Sequence, residues 1–328
     1  MIITKAPFRL PIGGGGTDLP FFYSKYGGQL ITAGINKYNY IILEERPFYD
    51  EFYIRYSKME VVKTVEEIQH TRIKAALQYL KLKNPIEITA ISDVPAGTGL
   101  GSSSTFLVAL LKALHIYKKE DISTKKLAEE AADIEINILK EPIGKQDQYA
   151  SAFGGIMSLS ISKKNDVIVS PLSISYDTIK DLENNLHMFY TGIVRSSSEV
   201  ITDQTKNAVS DQSKMECMKE IKQIGIEIKS ALESGNLKRF GEWMNIHWET
   251  KKKMSEKMSN PQIDDWYNSA LKNGALGGKI MGAGGGGFFI FYCENNISAF
   301  RNAMISKGLK HIPFKFDFDG CKVVFDAK

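Results

Sequence analysis

The chain has 328 residues, 43% of them hydrophobic and 24% charged, proportions that exclude a disordered or collagen-like protein. At roughly 150 residues per domain the length points to two domains. Forty-two Lys and Arg against 38 Asp and Glu leave a net charge of +4, too weak a bias to expect nucleic acid or a membrane surface as partner; the longest like-charge run, Lys251-Lys252-Lys253, reads as a solvated helix face.

Residues 1–9 break their apolar run too early for a signal peptide. No stretch approaches the ~18 apolar residues of a membrane helix, so a cytoplasmic protein is expected. Glycine gathers in three clusters, at 13–16, 97–101 and 282–287. Each adjoins a strongly patterned segment rather than a Ser-rich linker, so glycine here supplies positive φ or lets backbone approach a ligand. Before the second cluster, Ile86, Ile88 and Ala90 alternate with Glu87 and Thr89, the pattern of a strand. After it, residues 106–114 are apolar almost all round, a buried helix. A helix over 124–140 follows, with Leu127, Ala131, Ile134 and Ile138 as its buried stripe. Glu129 and Asp133 point away from that stripe, and Glu135 falls at its edge. Pro142 and Gly144 end the helix.

Gln146–Phe153 form a short element before Gly154-Gly155 and a strand over Ile156–Ile161. Residues 163–185 are polar and mixed, and the domain junction is placed near their start, dividing the chain into 1–165 and 166–328. Beyond lie a strand over 186–194, a Ser-rich turn, helices between 199 and 258, a helix over 263–271, the third glycine cluster and a strand over Phe288–Tyr292. Asp319-Gly320, between apolar-rich runs at 314–318 and 321–325, signals a hairpin. Strands and helices mix without regular βαβ alternation, so the fold class is α+β.

Cys217, Cys293 and Cys321 are far apart and odd in number, as reduced thiols rather than a disulfide frame. With no C-x-x-C, no H-x-x-x-H and five scattered histidines, a transition-metal site is not expected. G-x-x-x-x-G-K-[ST] is missing. Gly282-Ala-Gly-Gly-Gly-Gly287 spells G-x-G-x-x-G, but its expected order is helix, glycines, strand, the reverse of a dinucleotide fingerprint. Protein-kinase signatures are missing too. Residues 93–104 run from strand through a glycine loop and three serines into a helix. Free N–H groups and the positive dipole end there favour a phosphate, and serine hydroxyls add donors and a Mg²⁺ ligand. The same residues also suit a serine N-cap after an ordinary loop.

The three clusters, in this order, resemble the three motifs of the GHMP kinases (galactokinase, homoserine, mevalonate and phosphomevalonate kinases). They are Ala6-Pro-Phe-Arg-Leu-Pro-Ile-Gly-Gly-Gly-Gly-Thr-Asp18, Pro95-Ala-Gly-Thr-Gly-Leu-Gly-Ser-Ser-Ser104 and Lys279-Ile-Met-Gly-Ala-Gly-Gly-Gly-Gly287. The resemblance implies two domains, a ribosomal-protein-like N-terminal one and a ferredoxin-like C-terminal one, with ATP and substrate in the cleft between them. Motif one is similar to the sugar-kinase version. Galactokinases usually carry Gly-Glu-His before its Thr-Asp, where this chain has Gly14-Gly-Gly16. The run into Leu19-Pro20, with Tyr26-Gly-Gly following, is most like the heptose-phosphate branch, and fucokinase-type domains share much of it.

The resemblance therefore implies an ATP- and Mg²⁺-dependent kinase of a small sugar phosphate, acting on the anomeric hydroxyl. The rival readings are another anomeric sugar kinase and a sensor that binds sugar without turnover. Gly144-Lys-Gln-Asp147-Gln-Tyr-Ala-Ser151 is similar to the galactokinase segment that carries the catalytic aspartate, so Asp147 matches that residue and Arg9 its basic motif-one neighbour. Such a carboxylate accepts the proton of the attacking hydroxyl. Asp18, with Thr17 and Gly16, matches the sugar-binding end of motif one. Pro95, Gly97, Gly99, Leu100, Gly101, Ser102, Ser103 and Ser104 match the ATP-phosphate loop, and Gly284 and Gly285 the motif that closes on it. Ser103 matches the family Mg²⁺ ligand, with Glu135 as its partner. Arg195 and Ser196, which open the Ser-rich turn ahead of a helix, are candidates for the substrate's distal phosphate; capping serines beside a solvated arginine would look the same.

Overall fold

The computed structural model describes residues 1–194, 197–282 and 284–327. Its first half runs β1 (Ile2–Gly13), α1 (Pro20–Tyr26), β2 (Gly28–Glu45), β3 (Phe52–Arg55), β4 (Met59–Val62), α2 (Thr71–Tyr79), β5 (Ile86–Ser92), α3 (Ser102–Tyr117), α4 (Thr124–Ala132), α5 (Gln146–Phe153), β6 (Ile156–Ile161) and β7 (Val167–Pro171). There follow α6 (Tyr176–Asn185), β8 (Leu186–Tyr190), α7 (Ser197–Ser210), α8 (Gln212–Glu233), α9 (Leu237–Lys252), α10 (Pro261–Lys272), β9 (Gly277–Ile280), β10 (Phe288–Tyr292), α11 (Ile297–Ser306), β11 (Lys310–Ile312) and β12 (Lys322–Asp326). Among the described residues the strands form two sheets. One has eight strands, in the order β12-β1-β2-β5-β3-β4 with β6 and β7 continuing from β2; the other has four, in the order β11-β8-β10-β9. No described helix is long and apolar enough to cross a membrane.

Two apolar cores explain where the site lies. The first packs α2, α3 and α4 on the large sheet, through residues such as Ile41, Leu43, Ile73, Leu107, Leu111 and Leu127. The second joins the two sheets through α8 and α9: Phe8, Leu10 and Ile12 meet Ile224, Ile228, Phe240 and Met244, with Met188 and Ile290 behind them. β1 changes core along its length. Ile2 and Ala6 belong to the first, Phe8, Leu10 and Ile12 to the second, and the register against β2 shifts between Pro7 and Phe8. A bulge re-aims side chains in this way, and Arg9 is left facing the space between the halves.

Several sequence expectations are corrected. The large sheet takes in β7 and β12, which lie beyond the junction placed near 165. Residues 163–185 hold that strand and helix α6. The strand from Leu186 stops at Tyr190. Asp319-Gly320 closes no hairpin: β12 pairs with β1, and Phe316 makes only a bridge to Ile35. Asp317 Oδ1 accepts from the N–H groups of Asp319 and Gly320, and that turn carries the chain from one half back to the other. A strand, β9, precedes the third glycine cluster, so those glycines join two antiparallel strands. The helix expected over 124–140 changes to a π-turn at Asp133–Ile138. The added residue leaves Ile138 exposed and turns Glu135 fully inward.

Candidate active site

A cavity of about 840 Å³ opens between the halves. Its lining includes Arg9, Asp18, Gly99, Ser103, Asp147 and Lys251. At its centre the Arg9 guanidinium grips Asp147 with both prongs, Nε to Oδ1 at 2.7 Å and Nη2 to Oδ2 at 3.0 Å, while Nη1 donates to the Gly99 carbonyl. A bidentate pair fixes direction as well as distance, so the carboxylate is oriented before any substrate arrives. Asp147 stands in the first turn of α5, beside the N-terminus of α3. Gly101 makes that approach possible: its φ is +79°, and a Cβ there would lie 2.8 Å from Asp147 Oδ2.

Asp18 is buried next to this pair. Its carboxylate accepts from the N–H groups of Gly16 at 3.2 Å and Gln146 at 3.0 Å. Burial pushes its carboxyl above the ordinary carboxylate range, against those N–H groups and reinforced by the charge of Asp147. Gly144 gives it room, since a Cβ there would fall 2.0 Å from Asp18 Oδ2. Gly15 and Gly16 line the cavity as well. Thr17 does not: its hydroxyl is consumed by the backbone of Gly14 and Gln29, so it closes the loop rather than meeting a ligand.

On the other side Pro95, Gly97, Gly99, Gly101, Ser102, Ser103 and Ser104 line the cavity, but Leu100 points into the second core. The third glycine segment abuts this loop backbone to backbone; a Cβ on Gly282 would lie 2.7 Å from the Gly99 carbonyl oxygen, and one on Gly287 2.1 Å from that of Thr98. Gly282 reaches the cavity. Gly284 and Gly285 instead pack on Met258, whose carbonyl accepts from the Gly285 N–H. Arg195 and Ser196 lie outside the described residues.

The expected metal pair is not assembled. Ser103 lines the cavity, but it is Ser104 that donates to Glu135, at 2.6 Å. Gln148 donates to the same carboxylate oxygen at 2.6 Å and Arg72 to the other at 2.8 Å. Glu135 is fully buried, and Arg72 also holds Glu141 at 3.0 Å. Both oxygens of Glu135 are engaged and its charge is matched by a guanidinium. It does not fit an open metal ligand, and a cation would reach it only by displacing Arg72.

Sequence reasoning missed Lys251, which sits in the run read as solvated. Lys251 is 8% exposed and lines the cavity, while Lys253 is exposed. The signal was the phase of α9: Phe240, Met244, His247, Trp248 and Lys251 follow one another at helical spacing and are all buried.

Two protein-family models match the chain, GHMP kinases N terminal domain over residues 60–155 and GHMP kinases C terminal over residues 228–310. It is 32% identical to the D-glycero-alpha-D-manno-heptose 7-phosphate kinase of Campylobacter jejuni, over 89% of each chain. It is 25% identical to the L-fucokinase/L-fucose-1-P guanylyltransferase of Bacteroides fragilis, over 90% of this chain and 35% of that one. Among solved structures, a D-glycero-D-manno-heptose 1-phosphate kinase from Bacteroides thetaiotaomicron superposes with a TM-score of 0.84 at 28% identity, over 100% of both chains.

Proposed function

The chain belongs to the GHMP kinases, phosphotransferases with alcohol acceptors that take ATP as donor, and on that premise we propose which alcohol it phosphorylates. The substrate is D-glycero-D-manno-heptose 7-phosphate, the reacting group its anomeric hydroxyl and the product the 1,7-bisphosphate, made in the cytoplasm for nucleotide-activated heptose and a surface glycan. The observation that carries the chemistry is the Asp147 carboxylate, held by Arg9 at the edge of the glycine loop that opens α3. It takes the hydroxyl proton as the anomeric oxygen attacks the γ-phosphorus and the bond to the ADP oxygen breaks. N–H groups of the 97–101 loop and the α3 N-terminus accept the charge that builds on the phosphoryl oxygens.

Support for the sugar comes from motif one. Asp18 offers a buried carboxylate to sugar hydroxyls, and a Cβ on Gly15 would meet nothing nearer than Gln146 Oε1 at 4.0 Å. Glycine therefore leaves that side of the cavity uncrowded where galactokinases usually carry Glu. Mg²⁺ is proposed as the counter-ion of ATP, with the Ser103 hydroxyl as the ligand the chain offers as it stands. Arg195 and Ser196 are kept as proposed ligands of the sugar's own phosphate, on the sequence alone. Arg195→Ala should then raise the KM for the heptose phosphate about 10- to 150-fold and leave that for ATP unchanged; equal losses on both would end that assignment.

The test of the whole reading is an ADP-formation assay with Mg-ATP and a panel of heptose 7-phosphate, unphosphorylated heptose, fucose and galactose, with the product identified by phosphorus NMR. The expected result is highest kcat/KM for heptose 7-phosphate and a new anomeric phosphate. A preference for fucose or galactose would replace the substrate, and ATP binding without turnover on any sugar would favour a sensor.

A further inference from the structure

The C-terminal wall of the cavity holds more positive charge than the phosphoryl-transfer reading has used. Lys251, at the end of α9, donates from Nζ to the Gly282 carbonyl at 2.8 Å, and Lys279, on β9, donates to the Ile12 carbonyl at 3.0 Å. Both line the cavity, both are at least nine-tenths buried, and neither has an ion pair among the described residues. His247, one turn before Lys251, is fully buried, with neither ring nitrogen hydrogen-bonded among the described residues. Arg9 adds a third cation, already committed to Asp147. The Asp18 carboxylate lines the same cavity, and its charge acts on Lys251.

An ammonium has three donors, and Gly282 takes one of those on Lys251. Burying a cation on a single carbonyl is costly unless an anion completes its shell. Its position says which anion. Lys251 bonds the glycine segment that abuts the nucleotide loop at Gly99, and it feels the charges of Arg9 and Asp18. It therefore stands where the sugar side and the nucleotide side of the cavity meet. Resting on the kinase reading above, we infer that the Lys251 ammonium binds a phosphate oxygen at that junction. The phosphate is either the phosphoryl group in transit or the sugar's own.

Charge regulation supports this geometry. Burial, with the Arg9 charge next and Asp18 opposing, lowers the ligand-free ammonium to about 8. Burial lowers Lys279 as well, with the Lys251 and Arg9 charges adding to it, and lowers His247, with the Lys279 and Lys251 charges adding to that. The free site is thus short of negative charge, and an incoming phosphate keeps Lys251 protonated.

The experiment is Lys251→Met, with Lys251→Arg as the charge-retaining partner, assayed with heptose 7-phosphate and unphosphorylated heptose across pH 6 to 10. The Met variant should lose about 10- to 100-fold in kcat/KM, Arg should recover part of it, and the fall of the parent's kcat/KM above about pH 8 should vanish in Met. A fall in kcat on both sugars, or a raised KM for ATP, identifies the phosphoryl group in transit. A raised KM confined to heptose 7-phosphate identifies the sugar's phosphate. Kinetic constants within threefold of the parent on both sugars would overturn the inference and leave the kinase reading standing. If the parent turns over no sugar, that reading fails instead. Lys251 is then judged by calorimetry with ADP and with heptose 7-phosphate, where affinities equal to the parent's overturn it.

Discussion

On the wall of the cavity built from β1, α2, α3 and α5, the arginines grip carboxylates: Arg9 holds Asp147, and Arg72 holds Glu135 and Glu141. On the wall built from α9 and β9, Lys251 and Lys279 rest on backbone carbonyls. The difference separates two tasks. Paired and hydrogen-bonded charges are locked in place without a ligand, which is what positioning the base proposed at Asp147 requires. Unpaired buried cations raise the energy of the empty site and are relieved when an anion enters. One wall is preorganised by its own residues, and the other, on the inference drawn for Lys251, is completed by a phosphate.

The sharpest break in that comparison is Asp147→Asn. The amide keeps the size of the side chain and can still meet Arg9, but it has little basicity. Turnover should fall by roughly 10²–10⁴-fold, the usual cost of losing a general base, while ATP affinity measured by calorimetry stays near that of the parent. A kcat within threefold of the parent would remove Asp147 from the chemistry and with it the reason for the paired wall.

Glu135→Gln tests the same wall for stability. It leaves Arg72 buried beside a neutral amide, and breaking one partner of a buried pair costs about 3–5 kcal/mol. Glu141 remains as a second carboxylate for Arg72, so the lower end is expected, seen as a reduced denaturation midpoint at unchanged slope. The Mg²⁺ titration of its activity should overlay that of the parent, whereas Ser103→Ala should demand more Mg²⁺. The opposite pattern, with stability unchanged and the metal requirement raised at Glu135, would show that Arg72 gives way to the cation during turnover.

How far each wall was legible in the sequence follows from the same contrast. The 95–104 loop was legible by itself, because glycine spacing and a strand-loop-helix order are local signals; Arg9 and Asp147 were singled out by the resemblance to the family motifs, and the structure pairs them in the cavity. Leu100 and Thr17 sit inside those motifs, yet one packs into the core and the other ties the loop to Gln29; a motif specifies the path of the backbone, and each side chain still alternates in or out. Glu135 was placed only at the edge of the buried face because a regular period cannot anticipate the π-turn at Asp133–Ile138. The Asp319-Gly320 turn was visible but its partners were not, since β12 pairs with the far end of the chain. Lys251 was lost for a different reason. Three consecutive lysines look solvated, and the helical phase that buries the first of them has to outweigh their composition.

The smallest effect, and the most direct test of the lysine wall, is on stability without ligand. Lys251 has a folded value of about 8 against an ordinary 10.5. Below about pH 8 both folded and unfolded chains carry this proton, and the whole cost of the buried charge is present. Between about 8 and 10.5 the unfolded chain holds the proton and the folded one releases it, so this group makes stability climb as pH rises through that window. A shift of that size corresponds to at most about 3 kcal/mol, and losing the bond to Gly282 returns roughly 1 kcal/mol of it. Lys251→Met should therefore melt a few degrees higher than the parent at pH 7, and the gap should close towards pH 10. Lys279, Arg9, Asp18 and His247 face the same space, and the Lys251 charge acts on Lys279 and His247, so the difference between the two melting curves reports Lys251 together with the relief it gives those two neighbours. A variant that melts below the parent at every pH would mean that Lys251 braces α9 against the glycine segment, and that the wall is structural in the same sense as its counterpart.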